Sequence, residues 1–336
     1  QNYNKIFYYF FMKKILITGA SGFIGQSLIK YLSKLNKPVR GTVRLNCSFL
    51  SNTDIEYVSV RDIDHNTNWS KCLIDIDCII HCAGKAHIMK TERNDLSKIY
   101  QSVNVDGTKQ LAEQAAEAKI RRFIFLSSIK VNGENTNDDD MDKYLNKKKI
   151  VFSHKDLASP KDSYAKSKLE AEKVLWEISS RTGLEVVVVR LPLVYGYDAK
   201  GNLAKLKKLV RSKIPLPLSL VKNQRSMIGI DNLIDLLICC IDHPKASGKT
   251  FLASDGKNLS TPEFIKLIAS SMGRKANLFP LPIYILKFLG LIFGKSEEIN
   301  RLVGSLSIDD SYTKEILNWI PPISVEEGIR RMVQGK

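Results

Sequence analysis

Three glycines spaced by three, in Gly19-Ala20-Ser21-Gly22-Phe23-Ile24-Gly25, follow directly on the β-branched run Lys14–Thr18 and open an amphipathic stretch, Phe23–Leu35. A strand that feeds a helix through such a loop constrains the fold more than anything else in this chain. The first glycine permits a tight turn, the second a close backbone approach to a pyrophosphate, and the third close packing of helix on strand. The unpaired N–H groups and dipole at the helix start favour negative charge there. Gly19, Ser21, Gly22, Phe23, Ile24 and Gly25 are therefore expected to hold a dinucleotide.

The rest of the first half keeps the same alternation. Pro38 opens a strand at Val39–Val43, and further strands are expected at Ile55–Val60, Cys78–His81, Arg122–Leu126 and Glu185–Arg190. Helices are expected at Ile99–Ala118 and at Ser163–Arg181, the latter stopped by Gly183. Strand and helix in repeated succession predict an α/β fold, a doubly wound, Rossmann-type parallel sheet covered on both faces. After about Pro192 the pattern loosens into proline-punctuated segments, with helices expected at Asp231–Asp242 and Pro262–Ser271. The expected organisation is an extension over 1–11, a nucleotide-binding domain over 12–192 and a smaller, irregular substrate lobe over 193–336, with the chain free to cross back. Asn135–Lys149 reads as a polar surface insertion.

A formal charge of +16 over 336 residues favours an anionic ligand. No zinc knuckle, helix-turn-helix or RNA-binding aromatic signature accompanies it, so nucleic acid is not expected. The six cysteines, Cys47, Cys72, Cys78, Cys82, Cys239 and Cys240, form no C-x-x-C pair and no metal spacing. They read as reduced thiols of a cytoplasmic protein, with no metal site. Ile6–Phe11 is too short to span a bilayer, and Met12 reads as an initiator. Leu278–Phe293 is interrupted by Pro280, Pro282, Lys287 and Gly290. It is expected to pack as a C-terminal helix, with a peripheral membrane contact as the less favoured reading.

The second strand ends in Val43-Arg44, with Arg40 nearby and no carboxylate before Asp54. An acidic residue there would bond the ribose hydroxyls of NAD, whereas arginine suits the 2′-phosphate of NADP through charge-assisted hydrogen bonds. Arg44 thus favours NADP(H). Asp62 and Ile63, past the third strand, are placed to meet an adenine edge, although Asp62 would serve equally as a helix cap.

Tyr164-Ala165-Lys166-Ser167-Lys168 puts Tyr164 and Lys168 on one face of a helix. A tyrosine titrating near pH ~10 is a poor base at neutrality, and a neighbouring ammonium favours its phenolate. The pair can then exchange a proton with a substrate oxygen while hydride moves at the adjacent carbon. Ser127 and Ser128, at the end of a strand, lie at the sheet edge where ligands bind, and Ser128 is expected to hold the same oxygen.

These segments together resemble the extended short-chain dehydrogenase/reductases, in the NAD-dependent epimerase/dehydratase group. The resemblance rests on Thr18–Gly25, His81-Cys82-Ala83-Gly84, Asn104-Val105-Asp106-Gly107-Thr108, Ser127-Ser128, Tyr164–Lys168 and Arg190–Gly196. It implies Ser128, Tyr164 and Lys168 as catalytic residues and Asn104 as a structural prop. It also implies a cofactor site completed by Ala83, Gly84, Ser127, Leu191 and Val194, with the Leu193–Gly196 backbone along the nicotinamide. Arg225 and Arg301 resemble the arginines that clamp a nucleotide diphosphate, and two guanidinium groups on one pyrophosphate make physical sense. Sugar 4,6-dehydratases of the family carry Asp-Glu where this chain has Ile129-Lys130, so dehydration is not expected. The resemblance implies a UDP-sugar 4-epimerase of surface-polysaccharide synthesis holding NAD. Arg44 supports the alternative, a 4-ketoreductase of a UDP-4-keto-6-deoxy-N-acetylhexosamine. A reductase of a non-sugar ketone and a non-catalytic NADPH sensor are less favoured. A homodimer through Ile99–Ala118 and Ser163–Arg181 is implied by the resemblance as well.

Overall fold

The computed structural model describes residues 14–44, 55–86, 93–136 and 151–335. The expected extension over 1–11, Cys47, Asp54 and most of the Asn135–Lys149 insertion lie outside the described residues. The chain divides into two compact units. The first comprises residues 1–131, 158–190 and 236–251, and the second comprises 132–157, 191–235 and 252–336. Relative to a single cut after residue 192, the chain returns once to the first unit, and residues 132–157 go to the second.

The first unit is built on a seven-stranded sheet. Its strands are β1 (Lys14–Thr18), β2 (Val39–Val43), β3 (Glu56–Ser59), β4 (Ile76–His81), β5 (Arg122–Ser128), β6 (Glu185–Leu191) and, after two strands of the second unit, β9 (Lys249–Leu252). Their order is β3-β2-β1-β4-β5-β6-β9, and the pairs from β3 across to β5 are parallel. The order reverses between β1 and β4, which is where an open parallel sheet leaves a crevice for ligands. Thr18 pairs with His81 there, so the glycine loop runs beside Cys82–Gly84.

Alternation along β1 explains the layering. Leu16 joins a buried cluster with Phe123, Phe125, Val186 and Val188 of the sheet. Helices α4 (Gly107–Glu117) and α5 (Ser163–Thr182) complete that cluster with Leu111, Ala115, Leu175 and Ile178. Ile15 and Ile17 point to the opposite face by the two-residue period of a strand. Helix α1 (Phe23–Lys34) packs on β1 and β2, burying Leu28, Ile29 and Leu32. A short helix α2 (Ser70–Leu73) precedes β4.

Two sequence expectations change here. The single helix Ile99–Ala118 is in fact α3 (Arg93–Tyr100), a wide π turn over Gln101–Asp106, and α4. The turn holds Asn104, which bonds sideways rather than along the helix, and such bulges gather at functional sites. The C-terminal apolar segment is helical only from Ile283, after Pro282, and most of its large side chains face outward instead of packing.

The second unit contains a parallel pair, β7 (Leu193–Tyr195) and β8 (Met227–Gly229). Helix α6 is Asn202–Arg211, and α7 (Ile230–Asp242) carries the chain back to the first unit. Helices α8 (Thr261–Ser271), α9 (Ile283–Ile292), α10 (Ser296–Val303), α11 (Ser311–Leu317) and α12 (Val325–Gln334) follow. A reciprocal cap starts α8, in which Ser260 accepts from the Glu263 backbone and Glu263 accepts from the Ser260 backbone. The Tyr195 hydroxyl donates to Asp255 (2.6 Å), which also accepts from the Gly229 N–H and the Asn232 side chain.

Candidate active site

The glycine loop fits a dinucleotide phosphate on steric and electrostatic grounds. Gly19 has φ +66°, and a Cβ there would stand 2.9 Å from the Ala83 backbone. At Gly25 an added Cβ would come within 2.3 Å of the Gly19 carbonyl oxygen, so only glycine lets α1 lie this close to β1. Gly22 caps α1 without a side-chain hydrogen bond, and the first turn holds no acidic residue. The first-turn N–H groups are thus left without a side-chain partner at the end where the dipole favours an anion. Ser21, Phe23 and Ile24 occupy this same turn, partly exposed.

Arg44 stands exposed at the end of β2. Arg40 does not join it. Its guanidinium is buried, donates to the carbonyls of Cys72 (2.9 Å) and Ile74 (2.6 Å), and pairs with Glu56 at 2.7 Å. The carbonyls at the end of α2 and the Glu56 carboxylate draw it into a structural role. Asp62 caps no helix; its carbonyl accepts from Thr67 Oγ1 (2.8 Å) in a compact turn. Ile63 packs so tightly on Gly107 that a Cβ there would lie 2.5 Å away.

A continuous chain of hydrogen bonds runs from the glycine-loop strand to α5. The Ala83 N–H donates to Thr18 Oγ1 (3.2 Å), which lies 2.7 Å from His81 Nδ1. His81 Nε2 is 3.1 Å from Thr108 Oγ1, which donates to the Asn104 carbonyl (2.7 Å). Because Thr108 spends its proton on Asn104, it accepts from His81; the ring is then protonated at Nε2, and Nδ1 accepts from Thr18. Burial, with Lys168 adding to it, pushes His81 down to about 3, which keeps the ring neutral. Asn104 continues outward, donating to Ser167 Oγ (3.0 Å) and the Lys85 carbonyl (3.0 Å) and accepting from the Lys85 N–H (2.9 Å). Ser167 lies between Tyr164 and Lys168 and donates to the Tyr164 carbonyl (2.7 Å). Asn104 thus ties Lys85 to Ser167 of the helix Ser163–Thr182. Gly84 borders it, since a Cβ there would meet Asn104 Oδ1 at 3.1 Å and Lys168 Nζ at 3.5 Å.

On α5 the residues Tyr164, Lys168 and Glu172 form one stripe at four-residue spacing. Asp162 caps the helix by accepting from the Ala165 N–H (2.7 Å), and Lys130 Nζ pairs with the same carboxylate at 2.5 Å. Lys168 is buried, donates to the Leu126 carbonyl (2.9 Å) and lies 4.5 Å over the Phe125 ring. Burial pulls its ammonium down to about 8, against the opposing charge of Glu172. Burial likewise raises Tyr164 to about 12, with Asp162 adding to the rise and a hydrogen bond to Ser128 opposing it. The expected lowering of the tyrosine by Lys168 is therefore not a feature of this state: burial and the Asp162 charge raise it, and the Ser128 hydrogen bond opposes them. Tyr100 meets the Tyr164 ring edge-on at 5.9 Å.

Ser127 and Ser128 part company. Ser128 bonds Tyr164, whereas Ser127 Oγ donates to buried Glu172, whose carboxylate is held by Arg190 at 3.0 and 2.6 Å. The sequence reading assigned Ser127 to the cofactor and missed Glu172. The signal was the third position of the four-residue stripe. Cys72, Cys78, Cys82 and Cys240 are all pushed up by burial, as unreactive thiols are, and no group of metal ligands occurs among the described residues.

The second unit holds the other expected residues. Leu191 is buried at the end of β6, and Val194 pairs with Ile228 across β7 and β8. Arg225 donates to the carbonyls of Arg301 (2.9 Å) and Gly304 (3.1 Å), so the two arginines are neighbours. Arg301 is exposed and reaches Glu297 at 3.2 Å. Burial and the charge of Arg301 both lower Arg225 from its usual value, a strain an anion would relieve.

The sequence profile of the NAD dependent epimerase/dehydratase family matches residues 15–253. The chain belongs to this family. A UDP-glucose 4-epimerase of Vibrio cholerae is 40% identical over 328 residues, covering 96% of this chain and 95% of its own. Among solved structures, the UDP-glucuronic acid 4-epimerase of Bacillus cereus, in complex with UDP-glucuronic acid and NAD, shares the fold with a TM-score of 0.74. It is 22% identical and covers 96% of this chain and 99% of its own. The UDP-glucose 4-epimerase of Thermotoga maritima with UDP-glucose gives a TM-score of 0.72 at 19% identity, over 96% of this chain and 97% of its own. This member of the family is an NAD-dependent enzyme of the extended short-chain dehydrogenase/reductase type, as the resemblance implied.

Proposed function

We propose that the enzyme is a UDP-sugar 4-epimerase acting at C4 of a UDP-hexose or UDP-N-acetylhexosamine, and that its catalytic residues are Ser128, Tyr164 and Lys168. The observation that carries this reading is the Ser128–Tyr164 hydrogen bond at the sheet edge, with buried Lys168 one helical turn on. NAD, when bound, supplies reversible hydride acceptance at the sugar carbon. Tyr164 holds its proton through the neutral range and so can give it to a 4-keto oxygen. Taking the proton from a C4 hydroxyl needs phenolate character, which the ammonium of Lys168 favours once an ordered substrate replaces solvent. Ser128 fixes the oxygen. Dehydration would need a further acid and base, and here Ile129 is buried and Lys130 is tied to Asp162. Arg225 and Arg301 form the diphosphate clamp in this reading.

A second reading, the 4-ketoreductase using NADPH, is favoured by Arg44, exposed where a 2′-phosphate would be met. Mass spectrometry of nucleotide released from the purified, denatured protein separates the two. Retained NAD+ together with interconversion of UDP-GlcNAc and UDP-GalNAc, or of UDP-Glc and UDP-Gal, supports the epimerase. An empty site that takes up NADPH, with no interconversion, sinks it. The homodimer through α4 and α5 belongs to the same proposal, and sedimentation equilibrium at twice the monomer mass is its expected outcome.

A further inference from the structure

Helix α9 turns its apolar side outward. Only Leu286 and Gly290 of this helix are buried, the latter against Ile299 of α10. Tyr284 is 73% exposed, Phe288 61%, Leu291 70% and Ile292 59%, and Phe293 just beyond the helix is 70% exposed. Positions 284, 288 and 291–292 recur at helical spacing, so they form one continuous outward stripe. A surface helix ordinarily turns such a stripe to the core, and a contiguous exposed apolar patch marks an interaction site.

The charges around the stripe say what would cover it. Between Phe264 and Val303 the chain carries six cations, Lys266, Arg274, Lys275, Lys287, Lys295 and Arg301, and two carboxylates, Glu297 and Glu298. Both carboxylates are paired, with Arg301 at 3.2 Å and Lys295 at 3.5 Å. Lys275 and Lys287 are exposed, and no carboxylate pairs with either among the described residues. Lys287 sits between Tyr284 and Phe288 at the edge of the stripe. Aromatic and aliphatic side chains flanked by exposed Lys287, on a segment of excess positive charge whose two carboxylates are paired, complement a lipid interface that is apolar beneath anionic headgroups.

We propose that α9 docks this second unit on the surface of a bilayer containing anionic lipids. The helix lies in the plane of the interface, with Tyr284, Phe288, Leu291 and Ile292 entering the acyl boundary and the lysines reaching headgroup phosphates. It does not span: ten residues reach about 15 Å, half the hydrocarbon thickness of about 30 Å. No described helix is long and apolar enough to cross a membrane. A second copy of the chain fits the face less well, because a two-fold contact sets like positive patches against each other.

The test is co-sedimentation of the full chain with vesicles of phosphatidylglycerol and phosphatidylcholine, compared with phosphatidylcholine alone. Binding is expected to favour the anionic vesicles and to fall by roughly 10-fold or more in the triple variant Tyr284→Ser, Phe288→Ser, Leu291→Ser. Lys287→Gln alone is expected to lower it about 5-fold. Both variants alter exposed positions only, and unchanged thermal unfolding verifies their fold. Equal sedimentation of wild type and triple variant with anionic vesicles overturns the proposal. So does a wild-type dimer in solution that the triple variant dissociates, since the face would then be an interface between copies.

Discussion

Three cations of the first unit are buried and paired with protein groups, whereas the cations of the second unit discussed above are exposed or only half-buried. Lys168, Arg190 and Arg122 lie inside the first unit, where a Leu126 carbonyl, Glu172 and Glu185 respectively receive them. In the second unit Arg225 rests on carbonyls, Arg301 has one exposed partner, and Lys275 and Lys287 face solvent. A buried charge must be satisfied by the fold itself, so its position is set before any ligand arrives. An exposed charge costs little to leave waiting and gains most when an anion comes to it. On the proposed reading, the face carrying Tyr164 and Lys168 is thus preorganised, and the proposed diphosphate clamp is completed by what it binds.

Four measurements would break or sharpen that contrast. Tyr164→Phe should lower kcat by about 10³-fold with little change in thermal unfolding, because it removes one proton and no packing. Activity within a few fold of wild type would remove Tyr164 from the chemistry. Glu172→Ala should destabilise the fold by about 3–5 kcal/mol, since it strands Arg190 and the Ser127 hydroxyl together in the core. Denaturant titration checks this, and Glu172→Leu with Arg190→Leu should recover much of the loss; if the single change costs nothing, the network is ornamental.

Lys168 supplies a pH signature. Its ammonium is held to about 8 in the fold, below the 10.5 of an unperturbed lysine. From pH 8 to 10.5 the unfolded chain therefore keeps a proton that the folded chain has lost, so stability rises with pH across that window. Below pH 8 the full burial penalty applies. Relative to Lys168→Met, cofactor-free wild type should gain about 3 kcal/mol over this range. A difference that stays flat with pH would mean the lysine is better solvated than its surroundings suggest. The smallest effect belongs to half-buried Arg225: Arg225→Ala should raise KM for the UDP-sugar by about 10-fold with kcat unchanged, and should lower stability by about 1–3 kcal/mol through its two lost carbonyl hydrogen bonds. Unchanged KM and unchanged inhibition by UDP would detach the arginines from the substrate.

The glycine loop, the succession of strands along the chain up to β6 and the Tyr164–Lys168 face were legible because each is a local pattern with a fixed period or a fixed steric demand. Arg40 and Arg44 show where legibility stops. They are four residues apart on one strand and identical in type, yet one lies under the α2 carbonyls and the other stands free at the strand end. Ser127 and Ser128 divide for a different reason: strand alternation sends neighbours to opposite faces, and only the packed partners say what each face contains. The His81 relay was invisible for a related reason. Its members, Thr18, His81, Thr108 and Asn104, come from distant segments and none is unusual alone.

By itself the sequence determined the parallel α/β architecture, the glycine-rich turn and the shared face of Tyr164 and Lys168, because backbone sterics and helical spacing act over a few residues. Tertiary structure alone decided the protonation of that face, raising Tyr164 and lowering Lys168 through burial, and tied Ser127 to Glu172. It also turned the apolar stripe of α9 outward. Solvent exclusion and pairing across the chain depend on which distant groups meet, and that is settled only when the fold closes.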